Sequence, residues 1–208
     1  MTGPDDSVAA WADALAGATA TPAGGSAAAI GGALAGALVE MVAKLTTARD
    51  SYADIRTQTS AAGQRAMTLR TRLLELAVED ATSFRDVMAA LALPRGTEAE
   101  IARRNAVRAE ALKDAAGVQY ELLLLAGEVA DLGEELVARG LRSAVGDAAS
   151  AVFLAAAACR SAYWAIRSNL RRLYDDPEAE RMMAGALERL EQVAAAEKRV
   201  VVELSERM

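Results

Sequence analysis

The stretch TPAGGSAAAIGGALAGALVEMVAKLT, residues 21–46, decides the fold of this chain. It opens with a Pro-Ala-Gly-Gly-Ser turn and continues for about six helical turns on small and aliphatic residues. Glycine lowers helix stability by about 1 kcal/mol relative to alanine, so Gly31, Gly32 and Gly36 need a compensating role. Small side chains at four-residue spacing let another helix approach closely, and free amides after the turn bind an anion or a carbonyl. The segment therefore predicts a helix that begins at a ligand and continues into a tight helix–helix contact.

Composition bounds the class of protein. The chain has 208 residues, of which 53% are hydrophobic and only 4% aromatic. We therefore expect one domain over residues 1–208, with a core of Ala, Leu, Val and Met. The formal charge of −6 disfavours a general nucleic-acid binder. No histidine is present, so the commonest metal ligand and acid–base catalyst are missing, and we expect no metal and no cofactor.

Targeting signals are not evident in the sequence. The first residues are acidic rather than basic, which is not typical of a signal peptide. Pro22 and paired glycines interrupt the uncharged run near the N-terminus, so we expect no membrane span and a cytoplasmic protein. The single cysteine, Cys159, lies in an alanine run, where a buried filler is expected rather than a reactive thiol.

Apolar residues recur at helical spacing throughout, and no alternating run predicts a strand. Five or six long helices with short loops predict an all-α, up-and-down bundle. The first helix is predicted to begin at a cap on Asp5 or Asp6 and to end near Gly17, and the small-residue helix to end near Arg49. A third helix is predicted over 52–93, with a bend near Gly63, and a fourth from a Thr97–Glu100 capping box to Gly140. The fifth is predicted from Ser143 to about 173, and the last begins at Asp176-Pro177.

Two aspartates interrupt apolar surfaces. Asp80 sits on the stripe formed by Leu73, Leu76 and Phe84, where burial of an unpaired carboxylate is costly. It is either an acid–base group in a cleft or part of an internal salt bridge or capping contact. Asp147 lies in the first turn of its predicted helix, where capping and ligand binding both remain open.

Three further polar residues have alternative interpretations. Lys44 lies four residues after Glu40, the spacing of a helix-surface ion pair. Arg167 and Asn169 lie near the end of their helix and either orient a ligand or satisfy the helix end. Spacing alone does not separate these interpretations.

Four ordered motifs resemble the cyclodeaminase/cyclohydrolase domain of the formiminotransferase-cyclodeaminase family. PAGGS and AKLT resemble the family's PGGGS and ANLT, and VEDATSF resembles D-x-D-A-x-A-F. RGLRSAVGDAASA resembles G-N-x-x-x-x-S-D, and AIRSNL resembles NVRINL. The resemblance covers nearly the whole chain and implies an all-helical homodimer that acts on one-carbon tetrahydrofolates.

The resemblance also implies roles for individual residues. Asp80 falls at the catalytic aspartate, and Gly24, Gly25 and Ser26 would offer amides and a hydroxyl to the folate. Further along the chain, the resemblance implies that Lys44 replaces a lost hydrogen-bond donor and that Asp147 accepts hydrogen bonds from the amino edge of the pterin. It also implies that Arg167 and Asn169 orient the rest of the folate.

Two classes of function follow from the resemblance. One is hydrolysis of 5,10-methenyltetrahydrofolate or cyclodeamination of 5-formimidoyltetrahydrofolate, and the absence of an attached transferase favours hydrolysis slightly. The other is a helical bundle that has lost catalysis and binds a ligand or a protein partner. Substitutions in the family pattern favour the second class, and they lie at Ala23, Lys44, residues 48–52, Leu141, Gly146 and Ala165.

Overall fold

A computed structural model of the chain describes residues 7–171, 173 and 175–207. These residues form six α-helices and no strand, which confirms the all-α class. The helices are α1 (Val8–Ala16), α2 (Gly24–Thr47), α3 (Arg56–Leu91), α4 (Glu98–Arg139), α5 (Val145–Leu170) and α6 (Pro177–Arg207).

Helices α2 to α6 run alternately up and down. The Leu141 amide, just before α5, donates to Thr46 Oγ1 at the end of α2 (2.9 Å), so these two helices are antiparallel. We call the end of the bundle that contains Gly24 and Leu170 the upper end, and the opposite one the lower end. Helices α3 and α4 are the longest, and they extend past the upper end as a hairpin in which Arg104 donates to the Leu91 carbonyl.

Alanine and glycine set the close helix packing. A methyl group at Gly36 would lie 3.2 Å from Arg70 Cβ on α3, and one at Gly32 would lie 3.4 Å from Leu73. Gly31 meets nothing within 4 Å and faces away from the core. The predicted tight contact of α2 is therefore made against α3 by two of its three interior glycines.

Several helix boundaries match the expectations, and others need correction. The Thr97–Glu100 capping box is present, and Asp176 accepts hydrogen bonds from the first amides of α6. Ser7 caps α1, whereas Asp5 and Asp6 lie outside the described residues. Residues Asp50–Ile55 form a separate 3₁₀ segment, and α3 continues through position 63 as one helix.

Within the described part of the chain, two segments, Gly24–Thr47 and Arg142–Leu170, are long and apolar enough to cross a membrane by length and composition alone. In each, 56% of the most apolar window is buried inside the bundle. The core helices of a bundle with an Ala-rich interior have the same composition.

Candidate functional site

Asp80 lies at the upper end of the bundle, half-buried, and neutral donors from two other helices hold it. Gln119 Nε2 on α4 donates to Asp80 Oδ1 at 2.6 Å, and Ser26 Oγ on α2 lies 2.9 Å from Oδ2. Asp80 makes no ion pair with any residue that the structure describes. The carboxylate is thus paired without a cation, and the salt-bridge alternative is wrong.

Ser26 connects the carboxylate to a backbone carbonyl. Its Oγ lies 2.9 Å from Asp80 Oδ2 and 3.0 Å from the Ala77 carbonyl oxygen. A hydroxyl has one hydrogen and two lone pairs. With Asp80 ionised, Ser26 donates to Oδ2; with Asp80 protonated on Oδ2, the acid donates to Ser26 and the hydroxyl turns to Ala77. Both protonation states are hydrogen-bonded without movement of any heavy atom.

The N-terminus of α2 approaches the same carboxylate. A methyl group at Gly25 would overlap Asp80 Oδ1 and Gln119 Nε2, so a larger residue there would require these side chains to move. The amides of Gly24, Gly25 and Ser26 precede the first backbone bond of the helix, which the Ala27 amide makes to the Ala23 carbonyl. The positive end of the helix dipole and these amides therefore lie beside Asp80.

Gln119 belongs to this site and was not predicted. Its side chain is only 2% exposed, and its Oε1 is buried without a hydrogen-bond partner among the described residues. The signal in the sequence is the same as for Asp80, an isolated polar residue on an apolar stripe, here between Ala116 and Leu123. The carboxylate and the amide together form a polar pair inside an aliphatic bundle.

Lys44 and Asp147 lie elsewhere. Twenty residues of helix separate Lys44 from Gly24, which is about 30 Å along the axis of α2. Lys44 pairs with Glu40 as its spacing predicts, and the hydrogen bond from Lys44 lowers the pKa of that carboxyl. Asp147 is exposed in the first turn of α5, also at the lower end. Within one chain, the structure does not bring these two residues to Asp80.

Arg167 and Asn169 lie at the upper end, on the last turn of α5. The Arg167 guanidinium packs over the Trp164 ring, 5.1 Å from its centroid. Asn169 lines a cavity where α5 meets α3 and α4. Both residues are therefore on the same end of the bundle as Asp80.

The remaining polar candidates do not form a site. No group of three His, Cys, Asp or Glu residues that could hold a metal occurs in the part of the chain that the structure describes. Cys159 is fully buried, and this burial raises the pKa of its thiol to about 12. The expectation of a buried filler is confirmed.

Fold and site together define an all-helical bundle protein whose hydrogen-bonded carboxylate faces the start of a glycine-rich helix. The model of the formiminotransferase-cyclodeaminase family matches residues 7–188. The chain belongs to this family.

Two relatives show how far the similarity extends. A methenyltetrahydrofolate cyclohydrolase from Methylorubrum extorquens is 35% identical over 176 residues, 85% of each chain. The crystal structure of a formiminotetrahydrofolate cyclodeaminase from Thermotoga maritima superposes with a TM-score of 0.87, at 26% identity over 97% of each chain.

Proposed function

We propose that this protein hydrolyses 5,10-methenyltetrahydrofolate to 10-formyltetrahydrofolate. The observation that carries the proposal is the carboxylate of Asp80, held by Ser26 and Gln119 beside free helix amides. The similarity to a named cyclohydrolase over most of the chain supports this choice of reaction. We also propose that the protein acts in the cytoplasm and needs no cofactor.

Asp80 is the general base and then the general acid of the proposed reaction. As water adds to the cationic methenyl carbon, Asp80 takes one of its protons on Oδ2 and leaves a tetrahedral carbinolamine. The bond from this carbon to N5 then breaks, Asp80 returns the proton to N5, and the hydroxyl proton leaves to solvent as the formyl group forms on N10. The two hydrogen-bonding arrangements of Ser26 accommodate both states of Asp80 during this cycle.

The α2 N-terminus is the proposed binding site for the pterin part of the substrate. The amides of Gly24 and Gly25 lie in the first turn of α2, where Gly25 packs against Asp80, and they can donate to a pterin carbonyl oxygen. Gln119 Oε1 is a buried acceptor without a partner among the described residues, on the side chain that donates to Asp80, and it suits a pterin N–H or the attacking water. Arg167 and Asn169 are the proposed contacts for the rest of the folate.

Cyclodeamination of 5-formimidoyltetrahydrofolate is the second candidate function, since the Thermotoga relative carries that name. N10 would attack the formimidoyl carbon, and Asp80 would protonate the departing ammonia. The same carboxylate serves both reactions because each passes through a tetrahedral carbon flanked by nitrogens.

The methenyl chromophore provides the experiment. Purified protein is mixed with 5,10-methenyltetrahydrofolate, and the loss of its absorbance is compared with that in buffer. Appearance of the same absorbance from 5-formimidoyltetrahydrofolate measures the second reaction. If neither rate exceeds that in buffer, both enzyme proposals fail, and the non-catalytic binding protein remains.

We also propose that the active form is a homodimer that pairs α2 with α2 of a second copy. The outward face of α2 leaves Leu34, Met41 and Leu45 exposed, by 56%, 38% and 43%. A two-fold axis near the middle of α2 makes the pairing antiparallel. In this arrangement, the lower end of one chain lies near the α2 N-terminus of the second copy. Lys44 and Asp147, which both lie at the lower end, then join a site shared by two chains.

A further inference from the structure

A positively charged cavity lies beyond Asp80, where α3, α4 and the end of α5 meet. Its volume is about 270 Å³. Its polar lining consists of Arg108, Arg171, Ser168 and Asn169, and aliphatic side chains of α3 and α4 complete the wall. None of the described residues that line it carries a carboxylate, although the chain as a whole has a net charge of −6.

Arg108 lacks an acceptor among the described residues. Its Nε is buried and makes no hydrogen bond. Other arginines of the bundle pair with carboxylates, namely Arg56, Arg65, Arg70, Arg72, Arg160, Arg189 and Arg199. Arg108 lies inside α4, far from either end, so a helix dipole does not account for its charge. A buried Nε without an acceptor, on a half-buried arginine, indicates an acceptor that comes from outside the chain.

Arg171 supplies a second guanidinium to the same cavity. It follows the last residue of α5, where the negative end of the helix dipole favours a cation. Asn169 and Ser168 add neutral donors next to it. Two guanidinium groups with neutral donors are the chemistry that recognises a carboxylate, because the planar fork of arginine matches its two oxygens.

The position of the cavity sets the distance to the proposed reaction centre. Val87 on α3 is seven residues beyond Asp80, and Leu112 on α4 is seven residues before Gln119. Both helices therefore travel about 10 Å between the Asp80–Gln119 pair and the cavity wall. In a tetrahydrofolate, a benzene ring, an amide and one carbon separate N10 from the α-carboxylate, a reach of about 9 Å with ordinary bond lengths.

We propose that this cavity binds the glutamate carboxylates of the folate substrate through Arg108 and Arg171. The inference rests on the proposed function for the identity of the substrate. The positive charge of the cavity, its lining and the unpaired Arg108 Nε are observations that do not depend on the reaction. Arg108 and Arg171 thus set affinity for the glutamate tail and leave the chemistry at Asp80 unaffected.

Binding of substrate fragments tests the cavity without catalysis. The probes are p-aminobenzoyl-L-glutamate and p-aminobenzamide, which lacks both carboxylates, titrated into the full-length protein by calorimetry. We expect the glutamate conjugate to bind at least tenfold more tightly. Arg108→Gln and Arg171→Gln should remove this difference, whereas Arg103→Gln, an exposed residue of α4 outside the cavity, should keep it.

Kinetics with the methenyl substrate give a second readout. We expect Arg108→Gln and Arg171→Gln to raise KM about tenfold, as loss of a charge-assisted hydrogen bond does, with kcat within twofold of the unmodified protein. Arg171 is exposed, so its variant decides the question if Arg108→Gln does not fold.

The outcomes separate the inference from the proposed function. Turnover with unchanged KM in both variants would overturn the carboxylate site and leave the folate reaction standing. Arginine-dependent binding of the glutamate conjugate without any turnover would support the site and reject the enzyme. Equal binding of the conjugate and p-aminobenzamide would also overturn the inference.

Discussion

Gln119 Nε2 donates to Asp80 Oδ1 over 2.6 Å and joins two helices at residues 39 positions apart. Because Gln119 is almost fully buried, its amide cannot swing away, and the carboxylate keeps one orientation toward the α2 N-terminus. Ser26 fixes the other oxygen from α2. A proton acceptor held in this way is ready for a substrate before the substrate arrives.

Asp80→Asn tests the proton-transfer role directly. The side-chain amide of the introduced asparagine can donate to Ser26 Oγ while Ser26 donates to the Ala77 carbonyl. The variant therefore resembles the protonated form of Asp80 and should fold normally. We expect kcat to fall about 100-fold or more, as for loss of a general acid–base group. The methenyl absorbance assay measures the rate, and thermal unfolding serves as the control. An unchanged rate would remove Asp80 from the mechanism.

Gln119→Leu separates orientation from stability. The substitution removes the donor to Asp80 and also the unpaired Oε1, so the free energy of unfolding should change by about 1 kcal/mol or less. We expect kcat to fall about tenfold, because the carboxylate loses one of its two fixed partners. Gln64→Leu, at an exposed position of α3, is the matched control. Equal kcat values for the two variants would contradict this role.

Sequence patterns located the polar pair only in part. Asp80 stood out because a charge on a leucine stripe needs a reason, and the same argument applies to Gln119 between Ala116 and Leu123. An uncharged glutamine on an apolar stripe is a weaker signal than an aspartate. The sequence around each residue does not indicate that Asp80 and Gln119, 39 positions apart, contact each other. The pairing depends on the register of α3 against α4, which side-chain packing along both helices determines.

The separation of Lys44 from the α2 N-terminus could have been calculated. Twenty residues at 1.5 Å of rise give about 30 Å in any helix, whatever the packing. The resemblance implies that Lys44 and the α2 N-terminus belong to one site, because motifs give the order of residues along the chain but not the distance between them. Helix existence and the Thr97–Glu100 cap were predictable because they depend on neighbours in sequence.

Gly25→Ala and Gly24→Ala form a matched pair for stability. A methyl group at Gly25 overlaps Asp80 and Gln119, whereas one at Gly24 meets nothing within 4 Å. We expect Gly25→Ala to displace both side chains and lower the free energy of unfolding by about 1–3 kcal/mol. Gly24→Ala should leave it nearly unchanged. Urea unfolding of both variants measures the difference in the free energy of unfolding. Equal free energies would show that Asp80 and Gln119 move aside for the added methyl group at no cost.

Acid should destabilise the contact between α3 and α4. Arg72 donates to Glu121 at 2.7 Å, and this hydrogen bond lowers the pKa of the Glu121 carboxyl against the opposing effect of burial. A lowered folded-state pKa stabilises the fold above the ordinary value of 4.5, and the contribution is lost as the pH falls through the folded pKa. Glu121 is 42% exposed, so the effect is below about 1 kcal/mol.

Thermal unfolding between pH 7 and pH 3 measures this contribution. We expect Glu121→Gln to have a lower Tm than the unmodified protein at pH 7 and a shallower fall of Tm toward pH 3. Glu191→Gln, at an exposed position of α6, should follow the unmodified protein at every pH. A Glu121→Gln curve parallel to that of the control would mean that the Arg72–Glu121 pair contributes nothing to folding.

Leu34→Glu tests the proposed pairing of α2 with α2. Leu34 is 56% exposed and lies near the middle of α2, so a two-fold axis there would bring two introduced carboxylates together in a buried contact. We expect the unmodified protein to elute with twice the mass of one chain in light scattering, and Leu34→Glu to elute as a monomer. Because Lys44 and Asp147 would then be separated from the α2 N-terminus of the second copy, turnover should fall together with the mass. Val202→Glu, a 58% exposed position of α6, should keep both. A monomeric unmodified protein with full activity would place the site within one chain and leave Lys44 and Asp147 outside it.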